Sequence, residues 1–449
     1  MPPNNALVLV IDRLHAGFVG AYGNTWIATP ELNRLAADGF LFDRAMIDSP
    51  SLESVYRSYW QGIHALAEDA ANPSAFGLQP SALLPRHLTA AGYTTVLLTD
   101  DPAVARHPLA AGFSECELIE MPFEAPPLAD CAGQCHPGVP LASAVGQCSP
   151  AETIDETQLA RFFAVAAERL AALPSPFVLW LHVGSLGRTW DAPMEFRNQY
   201  SDEDDPPLPE TAAVPNLFLP SEADPDLLLG YTHSYAGQVS LLDACVGSLL
   251  ESLAASPAAE STLVSLLGAR GFPLGEHGRV GPCDDALYGE LTQIPWLLRM
   301  PDGAAACERT QALVQPADLY STIAEWCGLP TLSDPPITAG RSLLPLVRMT
   351  TDMVRDRAIA AASDQRAIAT AYWYMRCSSG TKTEETSGAE PKCELFVKPD
   401  DRFEVNEVAD RCVEEVAQLR TALEDFELTC QSGAESLPPL PASLIREWA

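Results

Sequence analysis

Short apolar runs alternate with longer amphipathic segments along most of the chain. The run at residues 6–11 is continuous and rich in branched side chains, which is typical of a central parallel strand buried on both faces. Comparable runs predict further strands at residues 94–98, 177–182, 262–267 and 295–300. Apolar positions at helical spacing predict helices at residues 30–38, 84–91, 156–173, 229–253 and 317–327.

The alternation of buried strands with helices predicts an α/β fold. We expect a large doubly wound, mostly parallel sheet with helices on both faces. Asp12 follows the first predicted strand directly. Ligands bind at the carboxyl ends of the strands in open α/β sheets, so Asp12 marks the edge where a functional site is expected.

The pattern changes near residue 348, where short predicted strands replace the alternation. We therefore predict an α/β domain at residues 1–347 and a small α+β domain at residues 348–430, with one helix at 408–426. Residues 431–449 form a Pro/Ser-rich tail that is expected to be loosely attached. Two Pro-rich acidic stretches, at about 120–150 and 200–226, are predicted to be surface insertions.

The acidic balance of the chain restricts its partners. Sixty acidic residues against 27 basic ones give a formal net charge of -33, which disfavours nucleic acid, anionic membranes and sulfated polysaccharides. A locally basic pocket still admits a small anion, because salt screens the field over about 8 Å. A small anion or a protein partner is therefore open, as is an oligomer.

The termini and the cysteines indicate a compartment. The chain shows no basic leader region and no apolar run of membrane-spanning length, so we expect a cytoplasmic protein. In that reducing compartment most of the twelve cysteines should be buried thiols. The cluster of Cys131, Cys135, His136 and Cys148 fits no common zinc spacing, and its role stays open.

A series of motifs resembles the sulfatase family of alkaline phosphatase-like hydrolases. The family's opening strand, aspartate, glycine-x-tyrosine-glycine and threonine-proline elements match residues 10–39, and its LGEHG segment matches residues 274–278. Further similar segments are Ala91-Gly92-Tyr93-Thr94-Thr95, Ser234-Tyr235 with Leu242-Asp243 and Gly247, Ile294-Pro295-Trp296-Leu297-Leu298, Gly340-Arg341-Ser342-Leu343-Leu344-Pro345-Leu346, and Glu394-Leu395-Phe396 with Asn406. Each motif is weak alone, but their order and spacing over residues 6–426 are specific.

The resemblance implies a divalent cation held by carboxylates, and here most of those ligands differ. The family's paired aspartates fall on Asp12 and Arg13, and its later aspartate-histidine-glycine motif falls on Ala269-Arg270-Gly271. Asp12 is then the one residual metal ligand, and two guanidiniums beside it would repel a cation by several kcal/mol even at an effective dielectric near 20. No cofactor is expected, unless migrated acids among Asp100, Asp101, Asp284 and Asp285 rebuild a Ca²⁺ or Mg²⁺ site.

The family's nucleophile, a cysteine or serine converted to formylglycine, also differs. Its position falls on Leu52 and the following arginine on Tyr56. A one-residue slip would make Ser51 the hydroxyl and Arg57 the cation, but the proline-serine-arginine maturation signal is missing. No formylglycine is expected, and a helix N-cap role for Ser51 is favoured over a nucleophile.

Several residues carry alternative roles. Arg13 and Arg270 either neutralise a vestigial site, which is slightly favoured, or form a small-anion pocket with Arg188 and Arg57 as further donors. His182 is a candidate acid/base, although a structural core histidine is favoured.

Three functions follow from these alternatives. The favoured one is a sulfatase-family pseudoenzyme that has lost metal-dependent sulfate-ester hydrolysis and binds a small anion or a protein. The alternatives are a divergent sulfuric-ester or phosphate-ester hydrolase with a rebuilt site, and a structural subunit.

Overall fold

A computed structural model describes most of the chain. The described residues are 4–67, 83–121, 149–220, 222–330, 338–378, 392–432 and 436–445. The cysteine and histidine cluster at 131–148 and most of the first predicted insertion lie outside these ranges.

The secondary-structure elements follow the alternation that the sequence predicts. The strands are β1 Asn5–Ile11, β2 Phe40–Met46, β3 Thr94–Thr99, β4 Glu115–Leu118, β5 Phe177–Val183, β6 Leu217–Phe218, β7 Thr262–Gly268, β8 Arg279–Val280, β9 Gln293–Ile294, β10 Trp296–Arg299, β11 Glu308–Val314, β12 Ala358–Ala361, β13 Gln365–Ala369, β14 Trp373–Ser378 and β15 Lys392–Val397. The helices are α1 Pro30–Ala37, α2 Leu52–Gln61, α3 Leu84–Ala90, α4 Pro102–Ala105, α5 Gln158–Ala172, α6 Met194–Asn198, α7 Pro225–Ala254, α8 Gly289–Thr292, α9 Ala317–Trp326, α10 Leu344–Val347, α11 Val413–Ser432 and α12 Ala442–Ile445.

A large mixed sheet forms the centre of the protein. In the described residues its strand order is β11-β2-β10-β7-β1-β5-β3-β4, with β9 paired to β2. Strands β7, β1, β5, β3 and β4 run parallel, whereas β10 is antiparallel to both of its neighbours. The predicted α/β fold with a mostly parallel sheet is therefore confirmed.

Two hydrophobic layers cover the two faces of this sheet. Every residue of β1 is buried, and its side chains alternate between the layers. One layer contains residues of α1, α5 and α7, and the other contains residues of α2, α3 and α9. The continuous apolar run at residues 6–11 thus has the physical cause that the sequence suggests, since both faces of the strand are buried.

A carboxylate from α7 caps the N-terminus of α1. Thr29 does occupy the N-cap position, but its side chain makes no capping bond and instead accepts a hydrogen bond from the Gly20 amide at 2.9 Å. The carboxylate of Asp243, on α7, accepts bonds from the amides of Glu31 and Leu32 at 3.1 and 2.8 Å. A distant acid therefore satisfies the exposed amides of this helix.

A four-stranded antiparallel sheet, β12-β13-β14-β15, forms the C-terminal unit with α11. The helix predicted at 408–426 is observed as α11, at 413–432. Val408 lies in a separate turn before it, and its carbonyl accepts a hydrogen bond from the Cys412 amide. The expectation of a loosely attached tail is wrong for residues 436–445, since Leu440 and Leu444 are buried in this unit's core.

Cys377 and Cys393 pair directly across β14 and β15 and form a disulfide. Among the other described cysteines, Cys245, Cys283, Cys412 and Cys430 are buried thiols, whereas Cys116 and Cys307 are exposed thiols. Disulfides are typical of oxidising compartments, so the cytoplasmic location stays a prediction. In the described part of the chain, no helix is both long enough and apolar enough to cross a membrane.

Candidate functional site: an ion-pair cluster at the strand ends

The carboxyl ends of β1 and β7 bring together four charged side chains. Asp12 and Arg13 follow β1, Arg270 follows β7 by two residues, and Asp284 comes from the loop after β8. Because β1 and β7 are adjacent parallel strands, their ends meet at one edge of the sheet. The edge that the sequence singles out therefore carries two guanidiniums and two carboxylates.

Asp12 and Arg270 form a bidentate ion pair. The Arg270 Nε and Nη2 atoms donate to the two oxygens of Asp12 at 2.9 and 2.6 Å, and the side chains are 10% and 5% exposed. Burial would raise the pKa of Asp12, but the charge and hydrogen bonds of Arg270, with the charge of Arg13, hold that pKa well below its ordinary value. Asp12 is therefore ionised and fully engaged near neutral pH.

Arg13 sits in an unusual backbone conformation. Its φ of 64° lies in the left-handed region, where aspartate and asparagine are tolerated better than a long side chain. A Cβ added at Gly187 would approach the Arg13 Cγ to 2.8 Å, so the stem of the arginine fills the space beside this glycine. The backbone at this position thus suits the aspartate that the family places there, and the local packing accommodates the arginine instead.

Asp284 joins the two arginines. One of its oxygens accepts a hydrogen bond from Arg13 Nη2, and the other accepts from Arg270 Nη1 at 3.0 Å. Arg13 also donates to the Cys283 carbonyl at 3.2 Å, and Arg270 donates to the Pro50 carbonyl at 3.2 Å. Two positive and two negative groups therefore form a cluster without net charge, and only Asp284, at 54% exposure, faces solvent.

The donor set of this cluster does not fit the divalent cation that the resemblance to sulfatases implies. Ca²⁺ and Mg²⁺ require several oxygen ligands around one point, and here a guanidinium stands against each carboxylate. Across the described ranges, no group of three or more histidine, cysteine, aspartate or glutamate side chains is arranged to hold a metal ion. The carboxylates at these strand ends are therefore occupied by arginines.

The candidate nucleophile lies beside the cluster. Ser51 is the exposed N-cap residue of α2, and the Arg270 bond to the Pro50 carbonyl places it next to that arginine. The Ser51 side chain makes no capping bond, and no described residue is hydrogen-bonded to its hydroxyl. Leu52 is the first residue of the helix, and Arg57 pairs with Glu53 one turn away at 3.1 Å.

His182 is paired with a tyrosine that the sequence analysis did not connect to it. The Tyr56 hydroxyl lies 2.6 Å from His182 Nδ1, and both residues are completely buried. The His182 Nε2 atom is buried and has no hydrogen-bond partner among the described residues. Burial lowers the pKa of His182, so the imidazole is neutral at pH 7.

Arg188 and Asp100 lie at the neighbouring strand ends. Arg188 Nη1 donates to the Asp100 main-chain carbonyl at 2.8 Å, and the Asp100 carboxylate accepts from the Gly184 amide at 2.6 Å. Burial raises the pKa of Asp100 to about 7, although the Gly184 amide bond opposes the rise. Arg188 is therefore separate from the bonds that join Arg13 and Arg270.

Two residues of the LGEHG segment, Glu276 and His277, form hydrogen bonds near the site. Glu276 lies 3.3 Å from His15 Nε2 and accepts from the Leu274 amide at 2.6 Å. Burial would raise the pKa of Glu276, but the His15 contact lowers it to about 2. His277 bonds Glu290 at 2.9 Å and stacks on Tyr288 at a ring distance of 3.6 Å, so this histidine supports the loop.

The sequence does not indicate that Asp284 bridges the two arginines or that Tyr56 pairs with His182. Asp284 was identified only as a candidate metal ligand, and Tyr56 only as the residue at the family's arginine position. A general signal exists for Asp284, because buried arginines require nearby carboxylates. No periodic or motif signal identifies Tyr56, whose pairing with His182 depends on how α2 packs against β5.

Comparisons with known proteins identify the family of this chain. The sulfatase family model matches residues 4–329. Human iduronate 2-sulfatase is 23% identical over 382 residues, which cover 72% of this chain and 64% of that protein, so the match spans less than two thirds of its length.

Solved structures show the same fold. A protein in complex with its substrate D-glucosamine-2-N,6-O-disulfate superposes with a TM-score of 0.69 at 15% identity and covers 97% of this chain and 99% of its own. A 2-O GAG sulfatase gives 0.68 at 17% identity, with 97% and 94% coverage. The phosphonate monoester hydrolase of Agrobacterium radiobacter gives 0.70 at 16% identity, with 95% and 96% coverage. Because the family model matches most of the chain, this protein belongs to the sulfatase family.

Proposed function

We propose that this protein is a sulfatase-family pseudoenzyme that has lost metal-dependent hydrolysis of sulfate esters. The observation that carries the proposal is the bidentate pair of Asp12 with Arg270, extended by Arg13 and Asp284. By the spacing of the motifs, Arg13 and Arg270 stand at carboxylate and histidine positions of the family. The guanidiniums supply the positive charge beside Asp12 that a cation would otherwise supply.

The surroundings of the expected nucleophile support the same proposal. Activation of a serine requires an adjacent group such as a base, and no described side chain is hydrogen-bonded to the Ser51 hydroxyl. The position that corresponds to the family's arginine is Tyr56, which is buried against His182. A developing negative charge on an ester oxygen would therefore meet no cation from this helix position.

The balance of charge also bears on anion binding at this place. Two guanidiniums are matched by two carboxylates, so an incoming sulfate must displace Asp284 before it can bind both arginines. This supports the neutralising role of Arg13 and Arg270 over their role as an anion pocket. Arg188 bonds a main-chain carbonyl instead of either carboxylate, and it lies outside the cluster's ion pairs.

A divergent hydrolase is the second candidate, and one observation favours it. Asp100 has a pKa near 7 and lies at the same sheet edge as His182, so an acid and a neutral imidazole are available near neutral pH. The relatives indicate which substrates to test, since they act on sulfate esters or phosphonate monoesters.

Hydrolysis assays on the purified protein test the proposal. We expect 4-nitrophenyl sulfate, 4-nitrophenyl phosphate and 4-nitrophenyl phenylphosphonate to be cleaved at the rate of a buffer blank, with or without Ca²⁺, Mg²⁺, Mn²⁺ or Zn²⁺. The reason is that no described base is bonded to the Ser51 hydroxyl and that arginines hold the carboxylates at the strand ends. Turnover that depends on a metal and disappears in Asp12→Asn would overturn the proposal, and metal-independent turnover lost in Asp100→Asn would favour the second candidate.

A further inference from the structure

A cavity of about 200 Å³ lies between the β2–β11 side of the large sheet and the C-terminal sheet. Its wall is formed by residues 43–46 of β2, by residues of β11, β13 and β14, and by the loop at 398–404. Asp12, Arg13, Arg270 and Asp284 do not line it. Since a water molecule occupies about 30 Å³ of liquid, the space accepts a molecule of several heavy atoms.

The lining of this cavity is positively charged in a strongly acidic protein. Four cationic side chains, Arg44, Arg309, Lys398 and Arg402, face two carboxylates, Asp43 and Glu404. The chain as a whole has 60 acidic and 27 basic residues. An excess of two positive charges at one place is therefore opposite in sign to the composition of the chain.

The two carboxylates are each engaged by a cation. The Asp43 carboxylate accepts hydrogen bonds from Arg309 Nε at 2.9 Å and from the Gln311 side-chain amide at 2.6 Å. Glu404 lies 3.1 Å from Lys398 Nζ and accepts from the Gly289 amide at 3.0 Å. The two charges of each pair cancel. The charges of Arg44 and Arg402 remain uncompensated by a carboxylate of the cavity.

Arg44 and Arg402 have only main-chain carbonyls as hydrogen-bond acceptors within the described ranges. Arg44 donates to the carbonyls of Thr370 and Ala371, and Arg402 donates to the Tyr22 carbonyl at 2.8 Å. Burial lowers the pKa of Arg44 to about 10, so the guanidinium stays charged at pH 7. Burial of the Arg44 guanidinium without a counter-ion is costly, and a bound anion would offset that cost.

We propose that this cavity binds a small molecule bearing an oxyanion, either a carboxylate or a phosphate or sulfate group. The arginines at its wall present planar sets of N–H donors that match the oxygens of these groups. The limited volume excludes polymers, which agrees with the repulsion that the net charge exerts on polyanions. This site does not depend on whether ester hydrolysis has been lost.

Calorimetric titration of the full chain with inorganic phosphate, inorganic sulfate and citrate, at low ionic strength, tests the proposal. We expect at least one of the three to bind, and Arg402→Gln to weaken that binding about tenfold or more, since a hydrogen bond to a charged group contributes about 1.5–3 kcal/mol. Arg402 is exposed, so its replacement should leave the fold intact. Arg44→Gln should act in the same direction if that variant folds.

Arg348→Gln is the matched control, because it removes one positive charge from an exposed pair with Glu325 that does not line the cavity. Its affinity should equal that of the wild type. Preference for citrate assigns a carboxylate ligand, and preference for phosphate or sulfate assigns a tetrahedral group. Absence of binding by all three anions would overturn the proposal, as would binding that Arg402→Gln leaves unchanged or that only Arg13→Gln removes.

Discussion

Replacement of Arg270 by methionine should lower the free energy of unfolding at pH 7 by about 3–5 kcal/mol. The substitution leaves Asp12 buried at 3% exposure with only the longer Arg13 contact, at 3.9 Å, to compensate its charge. Urea denaturation followed by tryptophan fluorescence measures the loss. As pH falls from 7 towards 4, the loss should narrow, because a buried Asp12 without Arg270 has a raised pKa and takes up a proton on folding.

Two further variants make this result specific. Arg348→Gln, which breaks an exposed pair with Glu325, should cost less than about 1 kcal/mol. The double variant Asp12→Asn with Arg270→Met should recover most of the loss, since it removes both charges together. Equal losses for Arg270→Met and Arg348→Gln would mean that the buried pair does not stabilise this sheet edge.

Asp100→Asn should stabilise the protein at pH 8 by an amount on the order of 4 kcal/mol, with little effect near pH 4. The pKa of Asp100 is raised from 3.8 to about 7 in the folded protein, so folding favours the protonated form. The group's contribution is fully present below 3.8 and is lost as pH rises through 7. An asparagine stays neutral throughout and can still accept the Gly184 amide bond.

Denaturant midpoints measured from pH 4 to pH 8 test this pH dependence of stability, with Asp155→Asn as the control. Asp155 is exposed and its replacement removes the same formal charge. The wild type should lose stability relative to Asp100→Asn as pH rises, and Asp155→Asn should run parallel to the wild type. A variant at position 100 that is less stable than the wild type at both ends of the range would show that Asp100 is ionised and needed as such.

The sequence predicts the large sheet well because burial on both faces leaves a continuous apolar signal. Residues 6–11 and 262–267 are examples, and their strands were expected within one residue of their observed ends. Strands β2 and β11 carry a weaker signal. Each includes charged residues, such as Asp43 and Arg309, whose side chains pair with each other across the two strands. A pairing of this kind appears only when the strands are adjacent.

The sequence predicts several residues of the site but not the hydrogen bonds between them. The spacing to the LGEHG segment indicates that Ala269 and Arg270 stand at the family's aspartate and histidine, and the position after β1 indicates Asp12. The bridging role of Asp284 depends on the loop after β8, which no periodicity describes. The sequence does not reveal the excess positive charge of the cavity either, because Arg44 and Arg402 are more than 350 residues apart in the chain.

The metal content of the purified protein tests the central claim most directly. The protein is equilibrated with Ca²⁺, Mg²⁺, Mn²⁺ and Zn²⁺, dialysed, and analysed by elemental mass spectrometry beside the Asp12→Asn variant and a buffer blank. The account predicts no stoichiometric ion in either protein, because guanidiniums hold both carboxylates at the strand ends. About one ion per chain in the wild type, lost in Asp12→Asn, would contradict it.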